Sequence, residues 1–289
     1  MAWTARLQHL RAGAEQRFPV LTELTARLLS ANLLDAGTRL AAQAFLASVP
    51  LLFAFAAFAP QSVRDQLLES LRAMFGLSGA SERELQKVLG DPTMKSLRET
   101  SGAISVALAL ISATSFSRAM ARVCQRAWQL PKTGARISAW RWVVWLLALV
   151  LLVLLQDPVR TGFGAGLWLG VPVFFVVSTG VWLWTQHLLL AARIAWLQLL
   201  PGALLAAAST SALGLTARLY MPGALNRSVQ EYGSMGLVLV MLSWLIVLCA
   251  AVTFAVTIGA VLATEPPLHR YLTPDPADGG RAPETSQPR

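Results

Sequence analysis

Stretches without a charged residue alternate along the chain with short charged segments. The first lies between Arg39 and Arg64, and later ones cover residues 100–117, 142–156, 161–192, 194–217 and 232–264. A helix crosses the ~30 Å hydrocarbon core of a bilayer with about 20 residues, so these windows read as membrane spans. The third is short. It reaches across only if its helix starts near Ser138 and Arg141 draws its charged head back to the interface. Trp140, Trp142 and Trp145 suit that level, because indole rings favour the headgroup region. The pattern predicts an all-α fold, a polytopic membrane helix bundle of about six transmembrane helices with amphipathic interfacial helices. The approximate spans are 40–60, 100–117, 138–156, 166–188, 194–217 and 236–262.

The polar segments have patterns of their own. Within 61–99, Leu67, Leu71, Met74 and Phe75 share one helical face while Arg64, Asp65, Glu69 and Arg72 take the other. Pro92 holds Asp91 out of a helix. This segment predicts an outer amphipathic loop. A cap on the bundle and a lid over a ligand both fit a connection of that length. Residues 1–39 read as a cytoplasmic arm whose Leu21, Leu24, Leu28 and Leu29 form an interfacial helix. Residues 40–264 form the membrane domain, and the proline-rich residues 265–289 a disordered cytoplasmic tail.

Composition agrees with the windows. The chain of 289 residues is 55% hydrophobic and only 13% charged, about half the charge of a soluble domain, and its mean hydropathy is +0.54. The net charge of +9 then reads as basic residues retained on one side of a membrane rather than as a nucleic-acid surface. Arg118, Arg122, Arg126, Lys132, Arg136 and Arg141 follow the second span without an acid among them, whereas the basic residues of 61–99 are matched by acids. The acid-free segment places itself, both termini and Arg193 in the cytoplasm. This predicts a multi-pass protein of the cytoplasmic membrane. Charges throughout the first 39 residues leave no room for the apolar core of a cleavable signal peptide.

No arrangement points to catalysis. His9, His187 and His269 match no metal-ligand spacing, and the spans carry no carboxylate cluster. Gly162, Gly164, Gly166 and Gly170 do not form a phosphate-binding loop. No catalytic residue, metal or cofactor is expected. His187 reads as a solvated interfacial histidine. Gly166 with Gly170, and Gly202 with Ala203, Ala206 and Ala207, offer small faces for close helix approach. The hydroxyls inside spans satisfy their own helix backbone, but Gln43 needs a partner within the bundle, and Pro50 removes a backbone bond in the first span. In Glu231–Gly236, Gly233 reads as a turn, Ser234 as the N-cap of the last helix, Glu231 as a charge close enough to favour the positive N-terminal end of that helix and Tyr232 as an interfacial ring. A helix start and an outer-face binding site are both readings of this stretch.

Three segments resemble the YihY/virulence factor BrkB family. "AFLASVPLL", Ala44–Leu52, is similar to its Phe-x-x-Ser-x-x-Pro signature, although Phe45, Ser48 and Pro50 stand closer together here. "LPGALLAA", Leu200–Ala207, resembles its Pro-Gly motif through Pro201 and Gly202. "EYGSMG" followed by the last span resembles its Tyr-Gly-Ser-x-Gly segment through Tyr232, Gly233, Ser234 and Gly236. Relatives commonly close the last helix with Gly-Ala-Glu, whereas Gly259 and Ala260 are followed here by Val261. The resemblance implies an integral membrane protein, not an enzyme, that handles membrane lipids or a lipid or small-molecule substrate. Transport or export of an amphiphile is the leading expectation and a non-transporting envelope scaffold the alternative. A membrane-tethered ribonuclease, a label some relatives carry, lacks the ligands such chemistry needs.

Overall fold

The computed structural model describes residues 33–58, 65–66, 69, 94–131, 144–145 and 167–264. Five long helices account for most of them: α1 (Leu33–Phe58), α2 (Met94–Ala127), α3 (Leu167–Leu189), α4 (Trp196–Tyr232) and α5 (Ser234–Thr264). Among the described residues there is no strand. Of the expected third span only residues 144–145 are described, and they are helical. The arm helix, the Leu67–Phe75 face, the break at Pro92 and the tail lie outside the described residues.

α4 and α5 form an antiparallel hairpin in continuous register. At its base Gly259 meets the backbone of Gly202 and Pro201. At its tip Gly236 meets the backbone of Ser228. Between them Ala217, Met221 and Leu225 pack against Leu237, Val240, Met241 and Trp244. Apolar burial drives helices together weakly where lipid surrounds them; close packing of small residues supplies the contact instead. α1 joins the hairpin by the same device: Gly37 faces Ala250 of α5 so closely that a β-carbon on it would lie 2.8 Å from the Ala250 Cα. α2 runs along α1, and α3 packs against α4.

One apolar core ties five helix ends together. It joins Leu40 and Ala41 near the start of α1, Met120 and Cys124 near the end of α2, and Leu189 and Leu190 at the end of α3. Leu199 at the start of α4 and Val256 and Ala260 near the end of α5 complete it. The helix ends that the Lys and Arg pattern assigns to one side therefore meet at one end of the bundle.

Three helices run past their expected boundaries, α1 by starting at Leu33 rather than near residue 40. α2 continues through Arg118, Arg122 and Arg126 to Ala127, so the basic segment begins as helix rather than as loop. α4 continues through Arg218 and Arg227 to Tyr232, where an outer loop was expected. Gly233 alone links α4 to α5. Its φ of 61° and ψ of −144° lie in a region open to glycine and to almost nothing else, and its N–H donates to the Val229 carbonyl at 2.9 Å. The α3–α4 link is less accommodating. Ala191 and Ala192 take φ of 56° and 58° there, a left-handed conformation costing roughly 1–2 kcal/mol per residue with a side chain.

Candidate functional site

Of the described buried polar residues, Ser178, Thr179, Thr185 and Gln186 lie on α3, Thr253 and Thr257 on α5, and Ser117 on α2. Gln186, in the last turn of α3, is fully buried. Among the described residues neither its Oε1 nor its Nε2 has a hydrogen-bond partner. Its amide lies against Gly202, where an added β-carbon would stand 2.8 Å from Oε1. Pro201, beside it, supplies no N–H for the carbonyl four residues back in α4. A buried amide without a partner costs about 1–3 kcal/mol in proteins, so Gln186 is a costly group at this position.

Its neighbours along α3 are engaged. Thr185, also buried, accepts a hydrogen bond from Trp145 Nε1 at 3.1 Å. Trp145 is therefore a core residue, only 2% exposed, with its ring 5.6 Å from that of Phe116, and not the interfacial anchor its neighbourhood suggested. The burial of its indole body and the Thr185 hydroxyl outweigh the general preference for the headgroup layer. Trp140 and Trp142 lie outside the described residues. His187 stacks on Trp196 with ring centroids 4.1 Å apart, and its Nδ1 is buried without a partner among the described residues. The ring is held by packing rather than simply solvated.

The residues singled out in the sequence do not converge. Gln43, Phe45, Ser48 and Pro50 lie on α1, which continues through the proline. Ser48 donates to the Phe45 carbonyl at 2.8 Å, whereas Gln43 Oε1 is buried and without a partner among the described residues. Pro201 and Gly202 stand at the base of the hairpin. Glu231, Tyr232, Gly233, Ser234 and Gly236 stand at its tip, about 46 Å away along α4 at 1.5 Å per residue. Glu231 and Tyr232 are exposed and belong to the last turn of α4. Glu231 therefore sits at the negative end of α4, and not only near the positive end of the last helix as expected. Ser234 is already inside α5, and Gly233 occupies the position between helices that the N-cap reading gave to serine. Val261 is fully buried.

Most hydroxyls do satisfy their own helices. Thr179 donates to Phe175, Thr210 to Ala206, Thr253 to Cys249 and Thr257 to Thr253, at 2.7–2.8 Å. Ser211 is an exception, with its Oγ buried and unpartnered. Among the described residues no three His, Cys, Asp or Glu side chains come together. Two helices, Trp196–Tyr232 and Met235–Thr264, are long and apolar enough to cross a membrane among those described.

The family described as Virulence factor BrkB has a model that matches residues 24–277. No curated protein and no solved structure matches the chain.

Proposed function

The chain belongs to the virulence factor BrkB family of integral membrane proteins, and from that premise we propose that it moves a lipid or another amphiphile across the cytoplasmic membrane without enzymatic chemistry. Gln186 carries that reading. An amide that is fully buried and hydrogen-bonded to none of the described residues is costly in a membrane bundle, where no bulk water compensates it. A polar headgroup passing the α3–α4–α5 junction would supply the missing partners. Gln43 Oε1 on α1 is a second acceptor without a partner among the described residues. Both termini on the cytoplasmic side fit the shared end of the bundle at which Arg118, Arg122, Arg126 and Arg193 are exposed.

Reconstituted full-length protein tests this with a panel of fluorescent lipids and amphiphiles. Gln186→Leu should raise thermal stability by about 1–3 kcal/mol, because it removes an unsatisfied polar group. It should slow transport about tenfold through the lost hydrogen bond to substrate. A panel in which nothing moves, or a Gln186→Leu protein that transports at the wild-type rate, sinks the assignment.

A second reading, an envelope scaffold, draws on the backbone-to-backbone packing of Gly202 on Gly259 and of Gly37 on Ala250. Such packing suits a rigid bundle. It predicts defined protein partners on crosslinking in the native membrane and no flux of any amphiphile.

A further inference from the structure

The outward face of α2 changes character along its length. Leu108 and Ile111 are 51% and 65% exposed, and the same face continues through exposed Ser115 to Arg118, Arg122 and Arg126, all exposed. Spacings of three and four residues keep these positions on one stripe of an α-helix. The opposite face of the same turns is core, with Met120 at 2% exposure and Cys124 at zero. α2 therefore cannot rotate to bring the arginines inward without unpacking that core. They face whatever surrounds the bundle just beyond the level at which apolar side chains face hydrocarbon.

We propose that Arg118, Arg122 and Arg126 form a binding site for the headgroup of an anionic phospholipid in the surrounding bilayer. The three span about 12 Å along the helix axis. The headgroup layer of one leaflet is roughly 5–8 Å thick, and the flexible stems of Arg118 and Arg126 bring their guanidinium groups toward its middle. Guanidinium groups bind phosphate oxygens in pairs of parallel hydrogen bonds. The described ion pair at this end of the bundle engages Arg39 with Asp35. No acidic residue occurs from Arg118 to Arg141, so no near neighbour in sequence competes with the phosphate. The continuity of the stripe with Leu108 and Ile111 favours a lipid over a nucleic acid: the acyl chains of a lipid seated on the arginines would run along those two side chains.

The full-length protein in neutral detergent, titrated with fluorescent phosphatidylglycerol and with phosphatidylcholine of matched chains, tests the site. Phosphatidylglycerol should bind and phosphatidylcholine should not. Each arginine near an anionic surface contributes about fivefold, so an Arg118→Gln, Arg122→Gln, Arg126→Gln protein should bind about a hundredfold more weakly. Its thermal stability should be unchanged, because the three side chains are exposed. Arg227→Gln, an exposed arginine at the far end of the hairpin, should keep wild-type binding. Equal binding by the triple variant, equal loss in Arg227→Gln, or displacement of the lipid by a single-stranded RNA oligonucleotide or by millimolar inorganic phosphate would each overturn the proposal.

Discussion

Gly259 touches Gly202 backbone to backbone, whereas Gly214, in the interior of the same α4 helix as Gly202, has nothing within 4 Å of the place a β-carbon would take. The two glycines therefore answer the same substitution in opposite ways. Gly259→Ala should destabilise by about 1–3 kcal/mol, because the hairpin must open to admit the methyl group. Gly214→Ala should stabilise by about 0.5–1 kcal/mol, because it only restricts the unfolded chain. Thermal unfolding in detergent reads both, and matching shifts would contradict the close contact. Cys124 makes a different residue-scale point. Burial pushes its thiol from 9.0 up to about 12. The folded state therefore keeps a proton that the unfolded state loses above pH 9, so its contribution to stability is complete below that pH and declines as pH rises toward 12. At pH 8 the folded protein should leave Cys124 unlabelled by maleimide, and unfolding should expose it.

At the scale of elements, charge in this sequence marks the edge of the membrane rather than the end of a helix. The sequence places span boundaries at Ser117 and Ala217 because arginines follow, yet α2 runs on to Ala127 and α4 to Tyr232. Nothing in the bonding of a helix backbone stops at an arginine; only the solvent outside changes. Glycine marked the break correctly at Gly233 and mismarked what lies before it. The site was less legible. Gln186 stands near the end of an uncharged window beside His187, where local pattern reads as interface. What buries it is Gly202 from the next helix, and that contact is not local in sequence. The rule that asked for a partner for Gln43 applies equally to Gln186. The α3–α4 link shows the converse, a strained turn that the sequence gives no sign of, since alanine is a helix former. Ala191→Gly and Ala192→Gly should each stabilise the protein by about 0.5–1 kcal/mol by relieving positive φ. Gly233→Ala should cost roughly 1–3 kcal/mol through backbone strain alone, since its β-carbon would meet no atom. If both alanine-to-glycine changes lower the melting temperature, the turn is not strained as described.

For the whole molecule, the hairpin is longer than a membrane is thick. Residues 196–217 of α4 carry no charge and extend about 33 Å, close to the ~30 Å hydrocarbon core. The remainder of α4, bearing exposed Arg227 and Glu231, adds about 22 Å. The tip around Gly233 stands at the end of the bundle opposite the core that joins the ends of α2 and α3 to the start of α4. By the positive-inside rule, the excess of Lys and Arg at that second end predicts a cytoplasmic side for it and the outer side for the tip. Single cysteines can decide this against the native background, because Cys124 and Cys249 are both buried. A membrane-impermeant maleimide should label Glu231→Cys in intact cells, and Arg122→Cys and Arg193→Cys only after the membrane is opened. The reverse pattern would invert the orientation while leaving the fold intact. Labelling of all three in intact cells would mean that α4 does not cross the membrane, and the α3–α4–α5 junction would then lose its place on a transport path.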